Sequence, residues 1–80
     1  MMHVYRNEDV DWVVAVSEDD AMDVWCESNG EEREDYPDEK WEQEPDDKVL
    51  TIQSDEGSEE KTCAEWVRLN GRGFLCSQNY

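Results

Sequence analysis

Positive charge is what this chain has least of. Seven Lys and Arg stand against 23 Asp and Glu in 80 residues, leaving a net charge of −16. The deficit argues against direct contact with nucleic acid or an anionic membrane, because both would repel the chain. Apolar runs are short as well, with none near the roughly 20 residues of a bilayer-crossing helix. Met1 to Asn7 lacks the basic and apolar regions of a signal peptide, so a cytoplasmic protein is expected. Histidine occurs once, at His3, and no cysteine pair has ligand spacing, which argues against a structural zinc site. Cys26, Cys63 and Cys76 are odd in number and suit a reducing compartment better than a disulfide framework. No glycine loop is built for phosphate, since Gly71-Arg72-Gly73 reads as a helix stop followed by a strand entry.

Low mean hydropathy, −1.06, combined with high charge is the composition of a disordered chain. Against disorder stand four Trp, three Tyr and one Phe, interleaved with Val, Leu and Ile in short periodic runs. The chain therefore reads as one small folded domain, residues 1–80, with an acidic loop segment at about 31–47. His3-Val4-Tyr5 begins a first strand, and Trp12-Val13-Val14-Ala15-Val16 is a β-branched run covered on at least one face. Ser17 opens a helix by a capping box with Asp20, and Glu18, Asp19 and Asp20 suit the positive end of its dipole. Ala21, Val24, Trp25 and Ser28 form its packing stripe, and Gly30 stops it. The segment after Gly30 reads as a loop with one helical turn near 37–42, where Pro37 suits a first helical position, tacked down by Tyr36 and Trp41.

Lys48 to Gln53 is a further strand, followed by an acidic turn centred on Gly57. Thr62 and Glu65 repeat the capping box for a helix ending at Gly71, and Phe74 to Ser77, continuing through Gln78-Asn79-Tyr80, closes the sheet. The expected class is α+β: a short, mainly antiparallel sheet of three to four strands with two helices on one face, in the order β-β-α-loop-β-α-β. Trp12, Trp25 and Trp66 are expected in the core.

Catalytic and metal chemistry find little footing. The cysteines lie among acids that raise a thiol pKa, and Cys63, at a helix start, is the best nucleophile of a poor set. Paired carboxylates abound, but a core this small rarely encloses the apolar pocket that splits two carboxylate pKa values. Asp46, Asp47, Asp55 and Glu56 are hard oxygen ligands without the spacing of a calcium-binding loop. The expectation is a protein that is not an enzyme and carries no cofactor and no metal.

The acids themselves are the functional candidate. A net charge of −16 exceeds what solubility asks of a small domain, and self-repulsion at that charge opposes folding. The densest stretch, Glu27 to Asp47, holds eleven acids against Arg33 and Lys40. Carboxylates at such density compete with nucleic acid for an array of Lys and Arg, pairing bidentately with Arg. Glu31, Glu32, Glu34, Asp35, Asp38, Glu39, Glu42 and Glu44 are assigned this contact, with Asp19, Asp20 and Asp23 of the first helix as a flanking patch. Trp41 among Glu39, Glu42 and Glu44 is either an anchor for the acidic segment or an exposed hot spot for a partner.

Short, strongly acidic and Trp-rich, the whole chain resembles the small phage and prophage-encoded inhibitors, namely anti-CRISPR proteins and anti-restriction DNA mimics. Trp12-Val13-Val14-Ala15 before Asp19-Asp20-Ala21, and Gly73-Phe74-Leu75-Cys76-Ser77 ending in Tyr80, are similar to segments of small prophage proteins. The likeness lies in size, charge and style rather than a shared motif, so it transfers no site residue. It implies evasion of host defence in the bacterial cytoplasm. The inhibitor would bind the positively charged channel of a CRISPR effector, a type I surveillance complex being favoured, or of a restriction nuclease. An alternative is a small interaction module or regulator that docks through Trp41 and a strand edge. Monomer and C₂ homodimer both remain open.

Overall fold

Two short β-rich segments, His3–Asn7 (β1) and Asp11–Ala15 (β2), pair antiparallel with Val4 opposite Val14 and Tyr5 opposite Val13. They form the centre of the fold in a computed structural model that describes residues 1–7, 11–35, 40–54 and 56–77. The chain continues through α1 (Glu18–Asn29), a 3-10 turn (Arg33–Asp35), β3 (Trp41–Gln43), β4 (Val49–Ser54), β5 (Gly57–Thr62), α2 (Cys63–Asn70) and β6 (Gly73–Ser77). One sheet has the order β3-β1-β2-β6, and β4 and β5 form a separate hairpin, with all neighbours antiparallel. The expected α+β class is what the chain adopts, with β3 and β5 added to the expected order.

The helices do not share a face. Side chains alternate along β1 and β2, so Tyr5, Val13 and Ala15 pack with Ala21, Met22, Val24 and Cys26 of α1 on one side. On the other side Val4 and Val14 pack with Leu50 of β4 and Cys63 of α2, flanked by Trp12, Trp66, Val67 and Leu75. A sheet covered once would leave Val4 and Val14 in water; burying them on the second face makes two small cores out of one pair of strands.

Both helix starts are built as expected, with one difference. The Ser17 hydroxyl accepts from the Asp20 N–H at 3.0 Å, but the Asp20 carboxylate reaches past Ser17 to accept from the Val16 N–H at 3.1 Å. Thr62 and Glu65 form the complete reciprocal box. The next two amides of α2, those of Cys63 and Ala64, donate to the carbonyls of Lys48 and Asp46 at 2.8 and 3.1 Å, so the stretch before β4 closes the helix N-terminus. Gly30 ends α1 in the left-handed region at φ 67°, where a side chain would be strained.

The 31–47 segment departs from expectation. A 3-10 turn occupies Arg33–Asp35, and Trp41 and Glu42, placed by expectation at the end of a helical turn, instead belong to Trp41–Gln43, which adds to β1 as an outer strand. Gly57 is the first residue of β5, opposite Ser54, and not the middle of a turn. The expectations for Tyr36, Pro37, Asp38, Glu39 and Asp55, and for Gln78-Asn79-Tyr80, lie outside the described residues. Among the described residues, no helix is long and apolar enough to cross a membrane.

Candidate acidic interface

Strand pairing sorts the acids into those the fold consumes and those it leaves free. β3 lies on β1 with Trp41 opposite Asn7, Glu42 opposite Arg6 and Gln43 opposite Tyr5. Trp41 therefore shares the α1 face with Tyr5 and is 3 % exposed, its indole N–H donating to Met22 Sδ at 3.4 Å. This corrects the assignment of Trp41 as a partner contact, because it is the anchor that ties the acidic segment to the body. Glu42 projects from the opposite face and accepts from Arg6 at 3.1 Å.

Glu44, assigned to the partner surface from its sequence neighbourhood, is 5 % exposed. Its N–H donates to the Val4 carbonyl at 2.8 Å, continuing the β3 alternation and turning its side chain to the α2 face. There the carboxylate accepts from Lys48 Nζ at 2.6 Å and from Trp12 Nε1 at 3.4 Å. A carboxylate that joins two elements of the core is unavailable to a partner, and the signal that it would pair inward was Lys48, four residues on. Glu44→Ala is expected to lower the unfolding free energy by about 2 kcal/mol, because Lys48 and the Trp12 N–H lose their acceptor. Glu44→Gln, which keeps an acceptor, is expected to lose less, and urea titration separates the two.

The α1 patch is likewise engaged within the chain. Arg33 folds back from the 3-10 turn to donate to Asp23 at 2.9 Å and Asp19 at 2.5 Å. Arg72, just before β6, forks onto Asp20 with bonds of 2.7, 3.0 and 3.2 Å and approaches Glu27 at 3.8 Å. Hydrogen bonding to Arg33 holds the Asp19 carboxyl below its ordinary value of 3.8, and hydrogen bonding to Arg72 does the same for Asp20. Asp19, Asp20 and Asp23, expected as a flanking patch, are thus each paired with an arginine of the chain, Asp19 and Asp23 at the surface and Asp20 largely covered.

Both lowered groups bind fewer protons folded than unfolded. Their stabilisation is whole well above pH 3.8 and is lost as pH falls through the lowered values. Asp20→Asn, whose side chain is 17 % exposed in the parent, is expected to cost about 1 kcal/mol at neutral pH. Its urea midpoint should converge on the parent's as the buffer is taken to about pH 2.

Glu31, Glu32, Glu34 and Asp35 remain. All are exposed, and among the described residues none has an ion-pair partner; the one cation in their midst, Arg33, is spent on Asp19 and Asp23. They follow the C-terminal end of α1, whose last turn carries no basic residue to offset the outward carbonyls. Arg33 draws the 3-10 turn back alongside α1, so the four carboxylates stand exposed beside the acids that hold that arginine. Asp38 and Glu39, assigned to the same surface, lie outside the described residues.

Burial pushes the Cys63 and Cys76 thiols up to about 11, and burial raises Cys26 as well. Among the described residues no three His, Cys, Asp or Glu side chains gather as a metal site. No family model, curated protein or solved structure matches the chain.

Proposed function

We propose that the protein is a charged decoy, a nucleic-acid mimic that occupies the basic DNA- or RNA-binding surface of a host defence complex in the bacterial cytoplasm and excludes the target. The observation that carries this reading is the set Glu31, Glu32, Glu34 and Asp35, exposed in the segment after α1 while the arginine among them is held by other acids. Duplex DNA offers one negative charge per about 1.7 Å of axis, and a protein groove that neutralises phosphates accepts carboxylates by the same charge-assisted bonds. Ordered acids have an advantage over a disordered acidic tail, because less conformational freedom is lost on docking.

A reading through Trp41 as an exposed epitope loses its support with the burial of that side chain. The decoy reading is tested by adding the purified chain to a type I surveillance complex bound to its labelled target duplex. Stoichiometric release of the duplex is the expected result; a duplex that stays bound at saturating chain removes this target from the proposal.

A further inference from the structure

The sheets have four outer strands among the described residues, β3, β6, β4 and β5. An outer strand presents a row of unpaired N–H and C=O groups, and proteins blunt such rows with shortness, bulges or charge. β3 spans three residues. β6 pairs with β2 through a register break between Trp12 and Val13, which increases its twist. β5 carries Glu59, Glu60 and Lys61. β4 has none of these guards: Val-Leu-Thr-Ile-Gln-Ser runs six residues in unbroken register with no charge and no proline, in a chain that is 38 % charged.

The register shows which groups face outward. β4 and β5 close on the Ser54–Gly57 pair, and hydrogen-bonded pairs then alternate back along the hairpin through Ile52–Glu59 and Leu50–Lys61. The N–H and C=O of Val49, Thr51 and Gln53 therefore point away from β5, and no other strand takes them up among the described residues. All three residues are exposed, Val49 at 53 %.

We infer that the outer edge of β4 accepts an extended basic segment of another protein as an added strand. The charge of the occupant follows from the flanks. Asp46 and Asp47 precede β4, with Asp46 meeting His3 at 3.0 Å and the intervening Lys48 spent on Glu44; Glu56 follows the strand, and Glu60 stands across from Thr51 on the exposed face. A segment with β-branched residues at its centre and Lys or Arg at both ends covers Val49 and Thr51 and meets carboxylates at each end. A second copy of this chain would bring another net charge of −16 to the same edge and be repelled. The inference rests on strand geometry and is independent of the acids at 31–35.

The probe is the peptide Lys-Lys-Val-Thr-Val-Thr-Val-Lys-Lys, followed by residue-resolved amide exchange. At about ten times its Kd the peptide should slow exchange at Val49, Thr51 and Gln53 by about tenfold, leaving Leu50 and Ile52, already in the ladder, unchanged. Thr51→Pro removes an outward N–H and should abolish the effect. Thr51→Lys, which faces Glu60 and keeps the strand, should abolish it by placing like charge in the path of the peptide. Saturating peptide without slowing at the three amides overturns the inference. So does slowing that Thr51→Lys retains, or slowing that a version of the peptide with Glu for Lys produces equally. Protection that rises with protein concentration in the absence of peptide overturns it too, by making the occupant a second copy.

Discussion

Trp41→Ala is expected to unfold the domain or bring it to the edge of unfolding. The substitution removes the largest side chain of the α1-face core, leaving a void among Met22, Tyr5 and Val24. Such truncations cost about 3–5 kcal/mol, against a total stability of about 4–12 kcal/mol for a chain of this length. Two features place this chain toward the lower part of that range: its apolar residues are divided between two small cores, and its net charge opposes compaction. β3 spans only three residues and Trp41 is its one buried side chain, so removing the indole also frees the acidic segment from the sheet. Urea titration checks this. Trp41→Phe should retain most of the parent's midpoint and Trp41→Ala should lose most of it; equal midpoints for parent and Trp41→Ala would mean that the indole lies in solvent.

Reversing Glu31, Glu32, Glu34 and Asp35 together to Lys is expected to weaken binding to the target severely while leaving the fold intact. None of the four is buried or paired among the described residues, so their removal relieves repulsion within the chain and breaks no ion pair. At about 1 kcal/mol for each of the four carboxylates that meets a cation of the target, affinity should fall about a thousandfold. The control is Asp19→Asn with Asp23→Asn, which releases Arg33; by freeing a cation among the four carboxylates it should weaken binding less than the reversal but measurably. Circular dichroism completes the comparison, because a reversed chain that binds poorly and remains folded locates the interface in these four carboxylates. Unchanged affinity in the folded reversal moves the interface elsewhere.

Local chemistry was the most legible part of this sequence. Ser17 with Asp20 and Thr62 with Glu65 name both helix starts, because capping involves residues three apart and owes little to the rest of the fold. The run Trp12 to Val16 names a strand. Its apolar character on consecutive residues already carries the information that both faces are covered, which is how the helices come to lie on opposite sides. β5 was not legible. Gly57–Thr62 is polar on both faces, and its strand conformation comes from pairing with β4, with Lys61 laid over the Trp66 ring at 5.2 Å.

The acids show the same division. Charge density marked the segment, but which carboxylates are free depends on partners distant in sequence. Arg72 reaches Asp20 from 52 residues away, and Glu44 turns inward because β3 keeps the register of β1. A count of carboxylates treats Glu44 and Glu34 alike, whereas the fold buries one and displays the other.

The most direct measurement is the affinity of the intact chain for the type I surveillance complex across a series of sodium chloride concentrations from about 50 mM to about 500 mM, where screening shortens from more than 10 Å to a few ångströms. A decoy built from exposed carboxylates should lose affinity steeply and log-linearly over that range, with a shallower slope for the four-residue reversal. An affinity that holds level to the highest salt would contradict it.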